Sequence, residues 1–425
     1  MITLKKMIIK GGKRLNGSVS VSGSKNATLP IMAASILGNS PSIIHNVPLL
    51  ADVRTMGHLL KLLGASVGYE NHKMIINPKG INNYKAPYEL VKTMRASIYV
   101  LGPLVAKYGW AKVSLPGGCA IGARPIDLHI KGLRKLGAKI EMEHGYVKAS
   151  AKKLKGARIV FDKVSLGATV NIMLAAVLAD GETILENSSK EPEIIDTVGY
   201  LKSMGAKISG EGTDCLVIKG VKKLKGVDGY SIIPDRIEAA TLIAAGVVTK
   251  GCVKVKKVNP EHLAMFLDKL KEAGAVLKTG KNSVEVCRHR GRLKSVDIIT
   301  EPYPGFPTDI QAQWMALMSL AKGDSVIKEN IWENRFMHVM ELVRMGSDIK
   351  IDENTAVVTG VSALSGADVM ASDLRASAAL IIAGLAASGE TVVRRIYHLE
   401  RGYEKLDEKL KKLGADIRVE MEAAV

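Results

Sequence analysis

The feature that most restricts how this chain can fold is an internal repeat. A glycine after an Ala/Ile/Leu-rich helical run recurs at Gly38, Gly109, Gly181, Gly251, Gly323 and Gly389, at intervals of 66 to 72 residues. A second glycine closes an amphipathic helical pattern at Gly64, Gly137, Gly205, Gly274, Gly346 and Gly414, at intervals of 68 to 73. Self-similarity at a fixed period means one supersecondary unit used again and again.

Each copy reads alike. A helix that is apolar nearly all round, such as 31–37 or 378–387, has no solvent face and must be buried. A strand follows (42–47, 391–396), then an amphipathic helix (53–63, 403–413) closed by the second glycine. Two strands finish the copy, such as 139–143 and 146–150 across the turn His144-Gly145, and a further strand leads into the next buried helix. This predicts an α/β fold of two similar inside-out domains, each of three repeats of roughly 70 residues with buried helices and outer sheets. The sixth copy is cut short after 416–421, while residues 7–17 parallel residues 216–226. The N-terminal strands are therefore expected to complete the C-terminal half. The expected domains are 24–232, which contains the Cys119 loop, and 1–23 plus 233–425.

Composition narrows the class. Lys and Arg exceed Asp and Glu by 18, which raises nucleic acid as a partner. The basic residues are spread along the chain and aromatics are 4%, so there is little to stack bases on. A positive field suits small anionic substrates as well. No apolar run approaches the ~18 residues of a bilayer span, and the N-terminus has no signal-peptide pattern. The four cysteines form no C-x-x-C pair or metal-like cluster, so they read as reduced thiols of a cytoplasmic protein.

The polar residues fall where the repeat places helix starts. Ser24-Lys25-Asn26, Arg95-Ala96-Ser97, Lys163-Val164-Ser165, Asp235-Arg236, Thr308-Asp309 and Asp373-Leu374-Arg375 precede the buried helices. Cys119 to Asp127, Asn334-Arg335 and Glu400-Arg401 precede the second helices. Free N–H groups at helix starts favour anions. Facing one cleft, Lys25, Arg95, Arg124, Lys163, Arg335, Arg375 and Arg401 would bind phosphate and carboxylate groups. The loop around Cys119 adds glycines at 117, 118 and 122, and a thiol there, among amides and near a cation, ionises more easily. Asp309 at a helix start reads as a cap, Asp373 as a cap or ion-pair partner, and His129, His338 and His398 as packed or capping groups.

Taken together, the segments Ser22-Gly23-Ser24-Lys25-Asn26-Ala27, Lys92-Thr93-Met94-Arg95-Ala96-Ser97, Leu115 to Pro125, Phe306-Pro307-Thr308-Asp309-Ile310-Gln311, Glu333-Asn334-Arg335-Phe336-Met337-His338, Asp373-Leu374-Arg375-Ala376 and Arg401-Gly402-Tyr403-Glu404 closely resemble the UDP-N-acetylglucosamine 1-carboxyvinyltransferase family. That family is a branch of the enolpyruvyl transferases, alongside 5-enolpyruvylshikimate-3-phosphate synthase. The resemblance runs nearly end to end. It implies a transferase of peptidoglycan synthesis and cell wall biogenesis that moves the enolpyruvyl group of phosphoenolpyruvate to the 3-hydroxyl of UDP-N-acetylglucosamine by addition and elimination. It implies no cofactor and no metal. Cys119 matches the proton donor, Asp309 the acceptor of the hydroxyl proton, and Lys25, Arg124 and Arg401 the phosphoenolpyruvate cations. Asn26, Arg95 and Asp309 match sugar-nucleotide contacts. The run Arg124, Pro125, Ile126, Asp127 and Leu128 would hold the uridine end. Lys163, Val164, Ser165 and Leu166 would hold the diphosphate, and Ile331 the acetamido region. Arg335, Asp373 and Arg375 complete the expected substrate site. The retained Cys119 implies alkylation by the epoxide fosfomycin. The alternatives are an enolpyruvyl transferase with another acceptor, and an inactive paralogue that binds nucleic acid.

Overall fold

The computed structural model describes residues 5–92, 94–115, 126–288 and 290–422. The second set of glycines has one conformation throughout. Gly64, Gly137, Gly205, Gly274, Gly346 and Gly414 have φ between 90° and 105°, a region that costs any residue with a Cβ. At each, the next residue's N–H reaches back to the helix, as Ala65 N to Leu60 O at 2.9 Å and Ser347 N to Leu342 O at 3.1 Å. These are Schellman closures, and they explain why glycine stands at this point in all six copies. The first set is less uniform. Gly109, Gly181, Gly323 and Gly389 have positive φ, whereas Gly38 is extended and Lys250 takes the left-handed turn before Gly251.

The chain divides into two compact units. A C-terminal unit comprises the N-terminal strands up to Ser22 and the chain from Pro234 onward. A central unit comprises the described residues from Gly23 to Ile233.

The described residues form six four-stranded sheets. In each sheet a short strand runs parallel to its neighbour and the remaining pairs are antiparallel. One example is Arg158–Val160 beside Glu182–Glu186, then Cys215–Lys219 and Lys207–Ser209. In four of these sheets a buried helix supplies the crossover that the parallel pair needs. In the central unit, Lys25–Ala34, Leu101–Tyr108 and Leu166–Ala176 are buried over most of their length. In the C-terminal unit the corresponding helices are Arg236–Val248, Gln311–Met318 and Leu374–Ala386. Each set lies in its own hydrophobic core.

The strand Lys5–Lys10 lies between Glu390–Arg394 and Asp416–Met421, the place Cys215–Lys219 holds in its own sheet. The residue after each strand is glycine for the same reason. A Cβ on Gly11 would lie 2.1 Å from Ala387 O, and one on Gly220 would lie 1.6 Å from Ala179 O. The strands that precede the two unit boundaries are exchanged. Asn16–Ser20 leads into the central unit's first helix yet pairs with Cys252–Lys256 of the C-terminal unit. Asp228–Ser231 leads out of the central unit yet pairs with its Ser42–His45.

Three elements are shorter than the sequence pattern suggests, the first being the strand expected over 42–47, which is Ser42–His45 because Asn46 has φ 57°. The last amphipathic helix is Leu406–Lys412 rather than 403–413, because Lys405 is left-handed with φ 49°. The strand before it ends at Arg394, since Arg395 has φ 58°.

Candidate active site

In the C-terminal unit two of the three helix starts are capped by aspartate. Asp235 Oδ1 accepts from Ile237 N at 2.8 Å and Glu238 N at 3.0 Å. Asp373 Oδ1 accepts from Arg375 N at 2.8 Å and Ala376 N at 3.1 Å. Asp309 behaves otherwise, which corrects its reading as a cap. Its 3-10 turn Thr308–Ile310 has Pro307 at the cap position, and its carboxylate is taken by two guanidinium groups. Arg335 Nη2 donates to Oδ1 at 2.8 Å, and Arg375 Nη2 donates to Oδ2 at 2.7 Å.

Both arginine side chains are buried, 4% and 6% exposed, while that of Asp309 is 29% exposed. Burying a cation is costly unless an anion meets it, so the two arginines hold Asp309 in place. Burial opposes the charge on Arg375, but Asp309 and Tyr403 more than offset it and its pKa is raised. The three groups sum to one positive charge around a partly open carboxylate. Such a group can accept a proton or hydrogen bond while its surroundings attract an anion.

Glu329 braces the same turn from behind. Its Oε2 accepts from Thr308 Oγ1 at 3.0 Å, and its Oε1 accepts from Ile331 N at 2.9 Å and Trp332 N at 3.1 Å. It thus ties Asp309's turn to Ile331, which is half-buried. Sequence reasoning passed over Glu329. The signal was the alternation of Asp324–Glu329, which turns Ser325, Ile327 and Glu329 inward. Arg401 ends the turn Ile396–Arg401 and is half-buried. Burial and Arg401 hold the pKa of His398 down. His338 is pushed down to about 4 by burial, against the pull of Asp373 and with the push of Arg335. Both imidazoles are neutral at pH 7, in keeping with packed groups.

In the central unit, Ser24 caps Lys25–Ala34 through Ala27 N at 3.3 Å, which sets Lys25 and Asn26 in its first turn. Lys25 Nζ lies 3.8 Å from Asp52 Oδ2. Arg95 opens the turn Arg95–Val100 and is half-buried. Ser165 caps Leu166–Ala176 through Ala168 N at 3.3 Å, leaving Lys163 exposed and Val164, Ser165 and Leu166 half-buried. Asp127 opens Asp127–Lys135 and is exposed, whereas Ile126 and Leu128 lie in the core.

His129 is buried behind these starts. Asn171 Oδ1 accepts from Gly102 N at 2.7 Å, so its amide nitrogen donates to His129 Nδ1 at 3.0 Å. The ring proton therefore sits on Nε2. Burial, aided by Arg95, pushes His129 down to about 4. Asn171 is a second residue that the sequence did not single out, because a polar side chain inside an apolar helix carries no periodic mark. Cys119, Arg124 and Pro125 lie outside the described residues. Among the described residues no group of His, Cys, Asp and Glu could hold a metal ion.

Comparison with known proteins identifies the class. Residues 9–410 match the EPSP synthase (3-phosphoshikimate 1-carboxyvinyltransferase) family. The enolpyruvyl transferase NikO from Streptomyces tendae is 28% identical, with a TM-score of 0.89 over 99% of this chain and 100% of its own. EPSP synthase from Acinetobacter baumannii shares the fold, with a TM-score of 0.77 at 19% identity over 99% and 100% of the chains. UDP-N-acetylglucosamine 1-carboxyvinyltransferase from Geotalea uraniireducens is 57% identical over 97% of this chain and 98% of its own. Its namesake from Geobacter metallireducens is 56% identical over 97% and 99%. The chain belongs to the EPSP synthase family of carboxyvinyltransferases, within the branch that these relatives represent.

Proposed function

We propose that this protein transfers the enolpyruvyl group of phosphoenolpyruvate to the 3-hydroxyl of UDP-N-acetylglucosamine, releasing phosphate, as the first committed step of peptidoglycan synthesis. The observation that carries this reading is 57% identity along 97% of the chain to a relative of that name. The clamped, partly open carboxylate of Asp309 supports it chemically.

The sugar hydroxyl loses its proton to Asp309 as its oxygen attacks C2 of phosphoenolpyruvate. The Cys119 thiol gives its proton to the methylene carbon, and a tetrahedral ketal forms. The Cys119 thiolate then takes a proton from the new methyl group, phosphate departs with the proton held by Asp309, and the double bond is restored with both groups back in their starting states. Lys25, Arg124 and Arg401 balance the phosphate and carboxylate of phosphoenolpyruvate, where fixed cations lower the barrier most. Asn26, Arg95, Asp127, Lys163 to Leu166 and Ile331 hold the sugar nucleotide. Arg335 and Arg375 fix Asp309, and Asp373 fixes the backbone of Arg375. No described helix is long and apolar enough to cross a membrane, and we assign the reaction to the cytoplasm.

Phosphate release from phosphoenolpyruvate tests this, with UDP-N-acetylglucosamine, with shikimate 3-phosphate or with no acceptor. Release with the sugar nucleotide alone is expected. Release with shikimate 3-phosphate would point to the other acceptor. No release, together with salt-sensitive RNA or DNA binding, would point to the inactive paralogue.

A further inference from the structure

Three buried helices of the C-terminal unit meet at one phenol. Arg375 Nη1, on Leu374–Ala386, lies 3.2 Å from the Tyr403 hydroxyl. Gln313 Nε2, on Gln311–Met318, lies 3.1 Å from it, and Thr241 Oγ1, on Arg236–Val248, lies 2.9 Å from it.

Chemistry sets the direction of each bond. The guanidinium and amide nitrogens can only donate. Thr241 lies 2.9 Å from the carbonyl of Ile237, which can only accept, so its own proton goes there. Tyr403 therefore accepts twice and donates once, to Thr241. Burial raises the pKa of the phenol, so it keeps the proton it must donate.

Both routes from this hub end on one residue. Arg375 carries the first to Asp309 Oδ2 at 2.7 Å. Gln313 Nε2 carries the second to Asp309 O at 3.1 Å. Side chain and backbone of Asp309 are thus referred to a single hydroxyl that is shut off from solvent.

We propose that Tyr403 is a positioning residue for Asp309, with Thr241 and Gln313 as its supports. The inference rests on the assignment of Asp309 as the group that accepts the acceptor's proton. Loss of the hydroxyl leaves the substrate cations in place but lets Arg375 and Asp309 drift, so turnover falls while binding persists.

The test compares three variants of the full chain. Tyr403→Phe is expected to lower kcat about 10- to 100-fold, the cost of a lost bond to a charged group, with both KM values within about 3-fold of wild type. Thr241→Val keeps the phenol but removes its acceptor, and is expected to lower kcat about 3- to 10-fold. Tyr200→Phe is the control for structure alone. The Tyr200 hydroxyl lies 2.8 Å from both Ser35 Oγ and Ser42 Oγ in the central unit and touches no site residue. It is expected to lower the unfolding midpoint and leave kcat unchanged. Tyr403→Phe turning over within about 3-fold of wild type, or losing activity only through KM, would overturn the inference. If Tyr403→Phe does not fold, a wild-type kcat in Thr241→Val overturns it. A wild type that releases no phosphate overturns the functional reading and this inference with it, whereas an active wild type beside an undiminished Tyr403→Phe overturns the inference alone.

Discussion

Arg375 reaches Asp309 across 66 residues of sequence, and the 2.7 Å bond between them joins the starts of two buried helices. A guanidinium buried at that depth depends on its carboxylate, and the carboxylate depends on it for orientation. Arg375→Met removes the bond and leaves Arg335 as the only one of the two guanidiniums on Asp309. Folding stability is expected to fall by about 3 kcal/mol, with turnover reduced further than stability alone explains. Urea unfolding beside phosphate release measures both.

The buried histidines predict an acid limb of stability. His129 titrates at about 4 in the fold against 6.5 when unfolded. A depressed folded pKa means the unfolded chain binds more protons between those values, so stability is full above pH 6.5 and is lost as pH falls toward 4. Glu238 works in the opposite sense. Burial pushes it up to about 7 despite Lys409, so its contribution is lost as pH rises through 7. His129→Gln isolates the first effect. The stability gap between wild type and variant is expected to shrink by as much as about 3 kcal/mol from pH 7 to pH 4. A constant gap in chemical-denaturation curves would refute the assignment.

Glycines of different kinds should respond differently to alanine. Gly137 has φ 90° and open space around it, so Gly137→Ala is expected to cost about 1 kcal/mol of backbone strain. Gly220 would place a Cβ 1.6 Å from Ala179 O, which neither backbone can avoid. Gly220→Ala is expected to cost about 3 kcal/mol, visible as a lower urea midpoint.

Cys119 offers a chemical test of its proposed role. Exposure to fosfomycin is expected to add one epoxide to Cys119 and abolish turnover, read by intact-protein mass. Cys119→Ala is expected to abolish turnover while calorimetry still detects UDP-N-acetylglucosamine binding. An alkylated enzyme of full activity would remove Cys119 from the mechanism.

The repeat was legible because its marks are local. A left-handed residue after a helix demands glycine, and a buried helix demands apolar residues on all sides, so both show at fixed spacing. The cluster around Asp309 was legible only in part. Its members stood out as charges at helix starts, but Asp309 taken by itself pointed to a cap because caps are what aspartates there commonly form, and only the family resemblance gave it a catalytic role. The pairing with Arg335 and Arg375 arises from folding distant repeats together. Thr241, Gln313 and Glu329 escaped notice for the same reason, and Tyr403 was seen only as a member of the segment Arg401 to Glu404, since each is ordinary in its own segment and acquires meaning only from its partners.

The most direct test of the proposed chemistry is the reaction run in heavy water. Addition with protonation at the methylene carbon, followed by elimination, must leave solvent deuterium in the vinyl group of the product. The account predicts a 3-O-enolpyruvyl sugar nucleotide carrying deuterium in its methylene, seen by NMR. A product with an unlabelled methylene, or no vinyl ether at all, would contradict it.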